Sequence, residues 1–262
     1  MTNISVREQA VHLLRRGAAN TEVGRRLGVP PGTVSWWKHE DLARHGTLPG
    51  RKHSTCPHCH GSELNRPAYS YLLGLYLGDG HILLPNEYRR TMSLQITCDD
   101  KWPGIMDSVE HAMRQVLTNN TPCRVRKAGC HDVKIYSNHL TCYFPQHGPG
   151  KKHDRLIALE PWQQEIVDAH PWEFLRGLIH SDGCRITNWA TRTVKGVVRR
   201  HEYPRYFFTN TSTDIIRLFT ETLDAVEVRW RASIPRPTGQ VNVSVARKES
   251  VALMDAHIGP KH

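Results

Sequence analysis

The chain has 262 residues, enough for one sizeable core and a small accessory domain. Its 35 Lys+Arg against 25 Asp+Glu leave a net charge of +10, which favours a polyanionic partner because each neutralised phosphate releases counterions. No run approaches the roughly 18 apolar residues that span a bilayer, Met1 to Arg16 lack the apolar stretch of a secretory signal, and seven scattered cysteines suit reduced thiols in a cytoplasmic protein better than a disulfide framework.

Residues 1–45 read as a small all-α domain. Val6, Ala10, Val11, Leu13 and Leu14 recur at helical spacing, and Gly17 ends the run. Asn20 is placed to cap a second helix over Thr21 to Leu27, which Gly28 stops. Pro30 and Pro31 open a third helix through Thr33, Val34, Trp36 and Trp37. Three short helices with a glycine turn between the second and third match a helix-turn-helix, whose third helix enters the major groove of DNA. Ser35, Trp36, Lys38 and His39 are then candidate DNA contacts, Arg15, Arg16, Arg25 and Arg26 candidate phosphate contacts, and one of the two tryptophans serves the small core. A helical bundle used for protein contacts is the competing reading.

Residues 46–68 read as a linker, Gly-, Pro- and Arg/Lys-rich from Gly46 to Lys52. Within it, Cys56-Pro-His-Cys59 has zinc-ligand spacing and makes Cys56 and Cys59 candidate ligands of a structural Zn²⁺. Such a site needs four ligands and the chain has no second Cys-x-x-Cys. His53, His58, His60, Cys98 and Cys130 are the candidates to complete it, and two ordinary thiols are the alternative.

From Tyr69 the chain says the same thing twice, over residues 69–173 and 174–262. Tyr69-Ser-Tyr-Leu-Leu-Gly-Leu-Tyr-Leu-Gly-Asp-Gly80 is an apolar helix ending in Gly-Asp-Gly, and Phe174-Leu-Arg-Gly-Leu-Ile-His-Ser-Asp-Gly183 echoes it. After each come a β-rich stretch (His81 to Cys98; Arg185 to Thr209) and an amphipathic helix (Ile105 to Leu117; Ile215 to Val226). A second strand pair then ends in Val133 to Tyr136 or Val241 to Val245. The tails also correspond, His147-Gly-Pro-Gly-Lys-Lys-His153 with His257-Ile-Gly-Pro-Lys-His262. The expectation is an α+β fold of two αββαββα halves related by a pseudo-two-fold, and hence a monomer.

In each motif helix two small residues stand four apart, Gly74 with Gly78 and Gly177 with Ser181, which lets two backbones pack closely. Asp79 and Asp182 would then meet at the helices' C-terminal ends. There, like charge and the negative ends of two helix dipoles oppose ionisation. A divalent cation answers that repulsion, and a carboxylate pair suits Mg²⁺.

Leu72 to Gly80 and Leu175 to Gly183 both resemble the LAGLIDADG signature of homing endonucleases, with two copies 182 − 79 = 103 residues apart as in the family's single-chain members. The resemblance implies a DNA endonuclease using Mg²⁺ or Mn²⁺, with Asp79 and Asp182 as metal-binding catalytic acids. Leu77 and His180 fill the motif's variable earlier Asp position. The family's basic residue near the metal maps onto Lys151 or Lys152 in the first half and Lys261 in the second. The resemblance further implies that the sheets read double-stranded DNA in the major groove, with Gln95, Thr97, Lys134, Thr209 and Asn242 as the reading side chains. A start at Met1 and the absence of splicing residues suggest a free-standing protein. Two rivals share these features. One is a transcription regulator that uses the core for binding without cleavage, and the other an RNA-processing maturase.

Overall fold

The structure, a computed structural model, describes residues 5–44, 56–86, 90–194 and 196–262. The expected linker residues Gly46 to Lys52, and His53, lie outside them. The chain divides into two compact units, Met1–Ser54 and Thr55–His262.

In the first unit α1 (Val6–Arg15), α2 (Asn20–Leu27) and α3 (Pro31–Arg44) surround a core of Ala10, Leu14, Val23 and Val34. Ser5 and Glu8 cap α1 reciprocally: the Glu8 amide donates to Ser5 Oγ (3.3 Å) and the Ser5 amide to Glu8 Oε2 (2.9 Å). Helix α2 begins one residue before its sequence reading, because Ala19 takes the extended capping conformation and Asn20 enters the helix. Gly28, at φ +66°, ends α2 in the left-handed region where a Cβ is costly, and Pro31 restarts the chain as α3. Trp37 is the tryptophan that packs on the core, while Trp36 is exposed beneath the Arg7 guanidinium, 5.9 Å from its ring centre.

The second unit opens with the one-turn helix α4 (Pro57–His60). It then repeats one order of elements: α5 (Arg66–Leu77), β1 (Gly80–Leu83), β2 (Ser93–Asp99), α6 (Pro103–Val116), β3 (Cys123–Lys127), β4 (Cys130–Tyr136) and α7 (Leu140–Tyr143). Helix α8 (Pro161–Ala169) stands between the halves. The second half is α9 (Pro171–Asp182), β5 (Gly183–Val194), β6 (Val197–Asn210), α10 (Thr213–Ala225), β7 (Arg231–Ala232), β8 (Val241–Val245) and α11 (Lys248–His257). The two antiparallel sheets have the same strand order, β1-β2-β4-β3 and β5-β6-β8-β7. This is the expected α+β duplication.

Alternation along the strands decides which face each sheet buries. Leu94, Ile96, Val133 and Ile135 of the first sheet, and Tyr206, Phe208, Val243 and Val245 of the second, are all buried. Each sheet is covered by its own half's amphipathic helix. Helix α6 contributes Ile105, Met106, Val109 and Met113; α10 contributes Ile215, Leu218, Phe219 and Leu223, with the Phe208 and Phe219 rings 4.3 Å apart. Each such side chain contributes about 2 kcal/mol by leaving water, so the apolar face outweighs local propensity in fixing strand register. Helix α8, absent from the sequence reading, closes the junction with a buried polar pair: Gln163 Nε2 donates to Tyr69 Oη (2.6 Å), and Gln146 Nε2 donates to the Ala158 carbonyl (2.8 Å) and to Gln163 Oε1. No helix among the described residues is long and apolar enough to cross a membrane.

Candidate active site

The centre of the second unit is the crossing of α5 and α9, and glycine permits it. A Cβ on Gly74 would stand 2.4 Å from the Phe174 carbonyl oxygen, and one on Gly177 would stand 2.2 Å from that of Tyr71. One turn on, a Cβ on Gly78 would fall 3.2 Å from Asp182 Oδ2. The backbones therefore touch along the small-residue face, and both helices deliver their C-terminal ends to one place. Past those ends Gly80 and Gly183 turn back under Tyr76 and Ile179 to start β1 and β5.

Asp79 follows the end of α5 and Asp182 is the last residue of α9. Asp79 is solvent-exposed as a residue, yet protein crowds its carboxyl group. That crowding, and then the charge of Asp182, push its pKa up to about 6 against the pull of Lys261 and Lys152. Burial also raises Asp182, opposed by Lys152 and by Asn210, whose Nδ2 donates to Asp182 Oδ2 at 2.7 Å.

Each helix end carries one lysine from its own half's tail. Lys152 Nζ donates to the carbonyls of Tyr76 (2.6 Å), Leu77 (2.9 Å) and Gly78, the oxygens that α5 leaves without helical donors. Lys261 Nζ donates to the Ser181 carbonyl at the end of α9 (2.9 Å). Burial lowers the Lys152 pKa to about 8 although Asp182 and Asp79 pull it up, and burial lowers Lys261 as well. Arg155 shapes the loop before Lys152 by donating to the carbonyls of Gly148 (2.6 Å) and Gly150 (2.9 Å). The other tail is steadied by His257, stacked on Trp172 at 4.2 Å.

Two hollows flank the acids. One of about 590 Å³ holds Asp79, Asp182, Lys152 and Asn210, and another of about 490 Å³ holds Asp79, His180 and Lys261. Of the two motif positions without an acid, Leu77 is core. His180 is buried, its Nδ1 2.8 Å from Tyr71 Oη, and burial with the nearby Arg176 and Lys261 lowers its pKa to about 3, so it is neutral.

The expected DNA-reading side chains lie on the sheet faces turned away from the core. Gln95 pairs in register with Lys134, and Thr209 with Asn242. Thr97 is engaged by Asp132, as Oγ1 donates to Oδ1 at 2.9 Å, and Lys134 reaches the same carboxylate at 3.3 Å. Ser35, Trp36, Lys38 and His39 are exposed on α3. Arg15, expected on phosphate, makes a paired contact with Asp41 (3.0 and 2.7 Å). Lys151 is exposed, and Lys152 alone of the two reaches the helix end. Sequence reasoning missed Asn210, which ends a strand 28 positions from its partner with no motif around it. Cys56 and Cys59 come together with His139 and Cys142, neither of which the spacing of the first pair indicated.

No family model and no curated protein matches this sequence. Solved structures do. Mesophilic variants of the homing endonuclease I-DmoI are similar with a TM-score of 0.52 and 16% identity, over 74% of this chain and 92% of that one. I-DmoI in complex with DNA and Mn gives 0.50 and 16%, over 75% and 98%. The LAGLIDADG meganuclease I-AabMI bound to uncleaved DNA gives 0.48 and 12%, over 72% and 82%. At identities this low the two I-DmoI structures establish architecture alone, and the architecture of the second unit is the LAGLIDADG fold with both motif helices in one chain.

Proposed function

We propose that this chain is a metal-dependent endonuclease that cuts both strands of double-stranded DNA at a specific sequence. The observation that carries the reading is the pairing of two carboxylates at crossed helix ends, each end with one half-buried lysine. A pure binding protein has no use for adjacent acids whose ionisation is opposed by crowding and by like charge. The solved relative's complex with DNA and Mn supports the same reading.

The donor set fits a hard divalent cation. Asp79 and Asp182 offer carboxylate oxygens, and a cation would offset both the crowding by protein that chiefly raises the Asp79 pKa and the added repulsion from Asp182. When bound there, Mg²⁺ or Mn²⁺ supplies an acidified water and charge neutralisation at the scissile phosphate. The chain's own residues do the rest. Asp79 and Asp182 must both be ionised to hold the cation. Lys152 and Lys261, fixed by helix-end carbonyls, place positive charge where the phosphate gains negative charge on attack. Gln95, Lys134, Thr209 and Asn242 face outward to read bases, and the first unit acts as a helix-turn-helix that adds contacts through α3.

The test is cleavage of a randomised duplex library in Mg²⁺, beside Asp79→Asn/Asp182→Asn. Cut ends clustered at one sequence, produced only by the unsubstituted chain, support the nuclease. Equal binding enrichment by both proteins, with no cut ends in Mg²⁺ or Mn²⁺, assigns the core to regulation by binding.

A further inference from the structure

Far from the paired acids, one group of three or more metal-ligating side chains gathers among the described residues: Cys56, Cys59, His139 and Cys142. It is built from two copies of the same local device. Cys56 occupies the N-cap of α4 and Cys59 lies three residues on; His139 occupies the N-cap of α7 and Cys142 lies three residues on. A spacing of three on one helical turn brings both side chains to the same side. Each turn thus presents a pair, and the two turns pack against each other.

The ligand atoms of all four residues lie within 4.8 Å of one another, and the Cys59 and Cys142 sulfurs are 3.6 Å apart. Sulfurs at about 2.3 Å from one tetrahedral Zn²⁺ stand about 3.8 Å from each other, so the cluster already has the dimensions of a zinc centre. No disulfide ties these cysteines. Packing accounts for Cys56, which is buried in the core, but not for the approach of Cys59, which is exposed, or of the half-buried His139. Helices of four residues are also far too short to hold themselves together in water.

We propose that Cys56, Cys59, His139 and Cys142 bind one Zn²⁺ in a closed, tetrahedral, structural site. Four protein ligands leave no open position for substrate, which separates it from catalytic zinc. Its place agrees. Helix α7 adjoins the first turn of α5, where Tyr69 Oη donates to the Tyr143 carbonyl (2.5 Å), whereas Asp79 lies past the far end of that helix. Twelve helical residues separate the two ends by about 18 Å. The zinc would pin the segment that leads into α5 to the turn that follows β4, fixing the start of the first half.

The inference is independent of DNA cleavage. The full chain, purified without added metal, should carry one zinc per chain by elemental analysis. Exchange into Co²⁺ should give the intense visible bands of tetrahedral cobalt with thiolate-to-cobalt charge transfer. Cys59→Ser and Cys142→Ser should each weaken zinc binding by more than about a hundredfold, beyond what loss of an outer-shell partner costs, while Cys123→Ser keeps the full complement. If the serine variants do not fold, titration of the metal-depleted original chain with Zn²⁺ against a chromophoric chelator decides. Stoichiometric, tight uptake that protects three thiols from alkylation supports the site. Uptake below a tenth of an equivalent, octahedral cobalt, or undiminished zinc in Cys142→Ser overturns it.

Discussion

Asp79 ties the chemistry of the site to pH. With its pKa near 6, it holds a proton in acid that a cation must displace. Cleavage at low Mg²⁺ should therefore halve near pH 6, and the midpoint should move to lower pH as Mg²⁺ rises; single-turnover rates at two Mg²⁺ concentrations measure this. An acid limb indifferent to Mg²⁺ would detach Asp79 from the metal. The same group carries a stability cost. Its folded-state pKa stands above the unfolded value near 4, so ionisation weakens folding as pH rises from about 4 to about 6. Asp79→Asn removes that cost, and metal-free at pH 7.5 the variant should be more stable by about 1 kcal/mol once exposure is discounted. Mg²⁺ should then raise the melting temperature of the original chain more than the variant's. On the alkaline side, Lys152 loses its proton near pH 8, so the rate should fall above that pH, and Lys152→Arg should move the limb upward.

At the scale of elements, the contact between α5 and α9 decides whether the acids meet. Gly74→Ala drives a methyl into the backbone of α9, where no side chain can move aside, and should cost about 3 kcal/mol or more. For a unit of this size that lowers the melting temperature by about 10 °C in calorimetry; an unchanged melt would show that the helices do not cross there. This crossing was legible in the sequence because small residues four apart appear twice beside the same acid. The sheets were legible through their alternation, Leu94 and Ile96 against Gln95 and Thr97. The lysines were legible through the family resemblance, which left Lys151 and Lys152 open, and their contacts with the helix-end carbonyls were not. Helix α8 was not, since it belongs to neither copy of the repeat and its buried Gln163 pairs with Gln146 and Tyr69 across the junction. Nor was the pairing of Cys56 and Cys59 with His139 and Cys142, which stand 139 − 59 = 80 positions further along and share only the one-turn geometry of their helices.

Taken as a whole, the second unit is two copies of one half sharing one pair of acids. Internal duplication supplies what a second subunit would, so the proposed enzyme should act as a monomer, with light-scattering mass independent of concentration; a stable dimer would contradict that. Under the proposed function, the duplication would give each strand of a bound duplex one of the two lysines. The most direct test is strand-resolved single-turnover cleavage of the selected duplex by Lys152→Met and Lys261→Met. Each variant should slow one strand by on the order of 10²-fold, a different strand in each case, so that complementary nicked products accumulate. Unchanged cutting of both strands by either variant would contradict the assignment of one half-site to each helix end.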